Sequence, residues 1–191
     1  MSFAVALSLV ASAIFLVRLL PQPVRLWRTR SAAGVSAVAA ANAVTSALAW
    51  LIYGLVEDLP VVWIVSLVAL VPGVWSVALL RREYHRGALL GAGAIAAAFA
   101  VSGVAGALSA ALAFGVLVTA GPQVWRAVRD SDLSGVAPAT WCIAIADAIA
   151  WGAYGVVIGD IAIEGYGIVL LTSAAIVLAR VVWTRRQLAF S

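Results

Sequence analysis

The chain holds a single cysteine, Cys142, and a single histidine, His85. One thiol excludes an internal disulfide and a cysteine-based metal site, and one histidine set among charged residues leaves no metal cluster. No lysine occurs; all 12 basic residues are arginine. Charged residues make up only 10% of the 191 positions, against 65% hydrophobic. Soluble domains average about 25% charged and about 45–50% apolar. With a mean hydropathy of +1.11, such a chain has too little polar surface to enclose one water-soluble core. These shortages exclude a soluble enzyme, a disordered chain and a disulfide scaffold. What is present is long apolar runs, the mark of a helical membrane protein.

Breaks between the runs predict seven spans: 3–20, ending at Pro21-Gln22-Pro23; 35–56; 60–80; 87–102; 106–121; 136–158; and 161–183. The stretch 87–121 has 35 residues without a charge, more than one span needs, since about 20 suffice. The turn formers Ser102 to Gly106 divide it. With seven spans, every arginine falls on one side, while Glu57, Asp58, Asp160 and Glu164 collect on the other. The positive-inside rule makes the arginine side cytoplasmic, with the amino end outside and the carboxyl end inside. The expected location is a cell membrane, crossed several times. Residues 1–20 have no basic leader region, which favours a retained helix over a signal peptide. Trp63, Trp75 and Trp183 lie toward span ends, where tryptophan anchors at the interface. No basic patch with interleaved aromatics points to nucleic acid.

The chain repeats itself. Pro21-Gln22 aligns with Pro122-Gln123, Arg25 and Arg28 with Arg126 and Arg129, and Gly34-Val35 with Gly135-Val136. Trp50 aligns with Trp151, and Tyr53-Gly54 with Tyr154-Gly155. The offset is 101 throughout, with 13 identities between 21–56 and 122–157. Each copy covers three spans, and span four is left over. An odd-numbered unit fused directly would invert its second copy; one extra span restores the orientation. The expected architecture is all-α and integral to the membrane, with seven helices as 3+1+3. Its parts are residues 1–82, a linker helix at 83–104, and 105–191. Parallel repeats of this kind place a solute site near the midplane at the repeat interface.

Leu20-Pro21-Gln22, Arg28-Thr29-Arg30-Ser31, Gly34-Val35-Ser36, Trp50 to Gly54 and Asp58-Leu59-Pro60 together resemble a PQ-loop repeat, closest to the SemiSWEET and SWEET branch. Pro122-Gln123, Gly135-Val136, Trp151, Tyr154-Gly155 and Gly159-Asp160 resemble it again. The resemblance implies sugar transport, with the prolines taking part in opening and closing the path and the tryptophans packing on the sugar. It also implies an asparagine in the third helix of each repeat, but those positions fall near Val65 and Gly167. This chain departs from the pattern there.

The residues themselves fit that role. An interior proline removes a helix hydrogen bond, so Pro21 and Pro122 are candidate hinges, with Gln22 and Gln123 beside the freed carbonyls. Pro138 is a third candidate, unmatched in the first copy, where Ala37 stands. Tyr53 and Tyr154, near the ends of spans two and six, are further candidates for the gate. Trp50 and Trp151 lie two thirds along their spans, away from interface depth. A sugar offers such rings both an apolar face and hydroxyls for the indole N–H. One turn earlier, on the same helix face, stand Ser46 and Asp147; Asn42 extends the first stripe and Ile143 the second. A charge at mid-membrane costs about 2.5–3.5 kcal/mol on insertion scales, which marks Asp147 as a ligand of substrate hydroxyls, a proton carrier or a packing partner. No phosphate-binding loop and no catalytic constellation occurs, so the expected protein is not an enzyme, needs no cofactor and is not driven by ATP. Three functions follow: a sugar facilitator; a proton-coupled carrier of amino acids or similar solutes; and, less fitting for such short loops, a receptor. The expected partners are a small solute, the bilayer and, possible for any two-repeat chain, further copies of itself.

Overall fold

A computed structural model describes residues 2–32, 35–129, 133 and 136–190. Gly34 and Gly135, part of the repeat pattern, lie outside the described residues. The chain is all-helical, and no strand occurs among the described residues. The helices are α1 (Phe3–Leu19), α2 (Pro21–Thr29), α3 (Ala37–Val56), α4 (Pro60–Leu79), α5 (Arg86–Val104), α6 (Leu108–Gly115), α7 (Leu117–Arg129), α8 (Pro138–Ile158) and α9 (Ile161–Phe190). They make seven stretches long and apolar enough to cross a membrane. The expected all-α class with seven helices of spanning length is the one observed.

Two boundaries are corrected. The first span continues past Pro21-Gln22-Pro23 to Thr29, and the fifth continues past Gly121 to Arg129. The segments after the prolines carry arginines, which made them look like loops. They are instead amphipathic helices: α2 buries Pro23 and Leu26 while Arg25 and Arg28 stay exposed. Leu20 keeps right-handed helical angles, φ −71° and ψ −36°, so α1 and α2 form one 27-residue rod. At 1.5 Å per residue such a rod is about 40 Å long, enough to pass the hydrocarbon core into the headgroups. In the fifth span the helix breaks at Val116, whose carbonyl accepts from the backbone N–H of Thr119 and Ala120 and from the Thr119 hydroxyl.

The split between the fourth and fifth spans falls where the turn formers placed it. Gly106 takes φ +70°, a left-handed angle open to glycine at no steric cost. The Ala107 N–H donates to the Ser102 carbonyl at 2.7 Å across it.

Two compact units are present, residues 15–112 and residues 113–191 with 1–14. In the first, α3 packs on α4 and α5, and α2 on α4. In the second, α8 and α7 each pack on α9. Their interiors correspond at the offset of 101. Leu26, Ala40 and Leu80 form a buried cluster closed by Ala32 and Val35. Ala127, Leu133 and Val181 form its counterpart, closed by Val136 and Trp141. The Val35 N–H donates to Ala32 at 3.0 Å, and the Val136 N–H to Leu133 at 3.0 Å. Leu59 donates to Gly54 at 2.7 Å, and Asp160 to Gly155 at 2.9 Å. Asp58 and Gly159, also 101 apart, both take positive φ, 52° and 73°. One turn chemistry thus ends α3 and α8 alike.

The same glycine draws each helix pair together. A methyl group on Gly54 would lie 2.7 Å from the backbone nitrogen of Trp63. A methyl group on Gly155 would meet the backbone nitrogen of Glu164, the corresponding position. The second pair packs more tightly still, since Gly152 faces Gly167 with no side chain between; Leu51 and Ser66 stand at those places in the first copy.

A repeated aromatic stripe and its polar partners

The stripe on α3 runs Asn42, Ser46, Trp50, Tyr53. Periodicity alone stacks these side chains along one face. Asn42 and Tyr53 are buried; Ser46 and Trp50 are half-buried. The Ser46 hydroxyl donates to Asn42 Oδ1 at 3.5 Å, so the polar end of this stripe is satisfied partly within its own helix. The Trp50 and Tyr53 rings meet edge to face, centroids 5.7 Å apart and planes at 88°. That arrangement sets the electropositive edge of one ring against the electron-rich face of the other.

The stripe on α8 runs Ile143, Asp147, Trp151, Tyr154. Its aromatic pair copies the first: centroids 5.8 Å apart and planes at 75°. Its polar end differs. Asp147 is fully buried, and Oδ2 accepts the Tyr166 hydroxyl at 3.0 Å. This bond runs between helices, from α9 to α8, where the first copy bonds within one helix. Ile143 stands where Asn42 stands in the first copy and offers no polar atom.

No sequence motif singles out Tyr166. It lies 19 residues beyond Asp147, and its counterpart, Val65, is apolar. The available sign was position: Tyr166 is adjacent to Gly167, in the third helix, where the resemblance calls for a polar side chain.

The hinge candidates occupy three different settings. Pro21 opens α2, about two thirds along the 27-residue rod, and Pro122 lies inside α7. Lacking an N–H, each leaves a carbonyl four residues back, on Val17 and Val118, without its usual helical donor. Gln22 and Gln123 are exposed. Pro138 is the first residue of α8, where a proline starts a helix rather than bending it. A fourth proline, Pro72, lies buried within α4, and the Ser76 hydroxyl donates to its carbonyl at 2.9 Å.

Arg180 turns partly inward: Nε donates to the Ala127 carbonyl at 2.9 Å. It thereby ties α9 to the last turn of α7, at the negative end of that helix dipole. An apolar groove of about 420 Å³ runs between α7 and α9, lined by Leu117, Gly121, Trp125, Ile168 and Ile176 among others; it touches none of the stripe residues. No group of three or more metal-binding side chains occurs among the described residues.

No curated protein matches the chain. Residues 3–63, which carry Pro21-Gln22 and the whole α3 stripe, match the family model described as PQ loop repeat. Over residues 3–63 the chain is thus similar to the PQ-loop repeat family, and its seven apolar helices fit a transporter-like, multi-pass membrane protein.

Proposed function

We propose that this protein carries a small polar solute, a mono- or disaccharide in the first instance, across a cell membrane by alternating access without ATP. The carrying observation is the duplicated Trp–Tyr pair, with centroid distances of 5.7 and 5.8 Å, each one turn past a polar residue on the same face. Indole rings supply apolar surface for a pyranose face. Asn42, Ser46 and Asp147 supply hydrogen bonds for its hydroxyls. Pro21 and Pro122 act as the bending points, because each already interrupts a helix ladder within its span. The functional units are the repeats 1–82 and 105–191 with the linker helix 83–104. The amino end lies outside and the carboxyl end in the cytoplasm, following the arginine distribution.

Uptake of labelled sugars and amino acids into proteoliposomes tests this reading. Saturable sugar uptake, lost in Trp50→Ala and in Trp151→Ala, supports it. Sugar flux absent, or unchanged in both variants, refutes it.

One observation favours a second reading, a proton-coupled carrier of an amino acid or similar metabolite. The Asp147 carboxyl group is fully buried and bonded to Tyr166 in one repeat only. A membrane-buried carboxyl group of this kind is a common proton relay. Uptake driven by an imposed pH gradient, and uncoupled in Asp147→Asn, would select this reading over the facilitator.

A further inference from the structure

The buried cluster of residues 15–112 brings together two basic segments that lie far apart in sequence. Leu26 and Leu80 pack in that cluster. Arg25 and Arg28 flank Leu26 at close range on α2, and Arg30 follows the helix. Arg81 and Arg82 come directly after Leu80, and Arg86 opens α5. All six arginines are exposed. Tyr84 pins the intervening turn by donating its hydroxyl to the Ala37 carbonyl at 2.9 Å. The only acid in the same segments is Glu83. Beside the arginines, Trp27 is half exposed, a residue type that settles at headgroup depth.

We propose that this rim is a binding site for anionic phospholipid headgroups. Guanidinium groups form paired hydrogen bonds to phosphate oxygens. Basic clusters just beyond membrane spans attract anionic lipid, each arginine strengthening the attraction about five-fold. The corresponding end of the second repeat is a poorer site. Asp130 and Asp132 follow Arg126 and Arg129 there, and Arg180 is spent on the Ala127 carbonyl. A topology signal needs only net charge on one side, whereas a binding site depends on which arginines are removed.

The test is native mass spectrometry of the full chain, released from nanodiscs holding equal phosphatidylglycerol and phosphatidylcholine. The wild type retains phosphatidylglycerol selectively. The triple variant Arg25→Gln, Arg28→Gln, Arg82→Gln loses that retention by at least about ten-fold. The triple variant Arg126→Gln, Arg129→Gln, Arg186→Gln removes the same charge and keeps most of it. Equal retention of both lipids by the wild type, or equal losses in the two triple variants, overturns the site. Should the first triple variant fail to fold, Arg28→Gln and Arg82→Gln alone each reduce retention by about five-fold; no reduction in either also overturns it.

Discussion

Tyr166 on α9 donates its hydroxyl to Asp147 on α8 at 3.0 Å, and the equivalent positions of the first repeat, Val65 and Ser46, have no means to form this bond. Two halves with the same backbone turns, core clusters and aromatic pairs therefore differ most at their polar atoms. Removing the hydroxyl in Tyr166→Phe deprives a buried carboxyl group of a donor. Interhelical hydrogen bonds in membranes average about 0.6 kcal/mol, and bonds to charged groups in water reach about 1.5–3 kcal/mol. A loss of about 1 kcal/mol in detergent unfolding is expected, with a smaller loss in the double variant Tyr166→Phe, Asp147→Asn than the single changes sum to. Additive losses would mean that the pair is not coupled.

The shared glycine contact makes a second prediction. Gly54→Ala and Gly155→Ala should both destabilise by about 1–3 kcal/mol, because the added methyl group meets backbone that cannot rotate away. Gly93→Ala and Gly103→Ala meet nothing within 4 Å and should be neutral or gain up to about 1 kcal/mol from helix propensity. Thermal unfolding of the four variants checks the contrast.

Tyr84 lies between spans, and burial raises its phenol above the ordinary value of 10.0. A raised folded pKa adds nothing to pH dependence below the unfolded pKa. Stability then falls as pH rises through the folded value, because the unfolded chain releases the proton first. Unfolding midpoints of the wild type and Tyr84→Phe should run parallel from pH 7 to about 9. Above about pH 10 the wild type should lose stability faster. Parallel curves to pH 11 would contradict this.

Much of this architecture is legible in the residues. The offset of 101 read from Pro-Gln, Trp and Tyr-Gly extends through structural features that carry no identity at all, such as Asp58 with Gly159 and Leu80 with Val181. Backbone turns and core volume tolerate substitution, so the repeat survives where the letters do not. Helix ends after Pro21 and Pro122 were hidden because arginine suits both a loop and the exposed face of an interfacial helix. Tyr166 was hidden for a different reason: its role depends on a contact between helices, and no periodicity within α9 marks it.

The prolines offer a kinetic prediction. Pro122→Ala restores a donor to the Val118 carbonyl and should stabilise α7 by up to about 3 kcal/mol. If bending at this point is part of the cycle, turnover falls while solute affinity holds. Initial uptake rates across a concentration series separate the two; an unchanged maximal rate would remove Pro122 from the cycle.

The most direct measurement is uptake of a labelled sugar panel into proteoliposomes by the wild type, Trp50→Ala, Trp151→Ala and the conservative Trp50→Phe and Trp151→Phe. Saturable flux in the wild type, abolished by both alanines and partly kept by both phenylalanines, is the expected result. Flux that survives both alanine changes would mean that the paired aromatic stripes are packing alone and that the solute travels elsewhere.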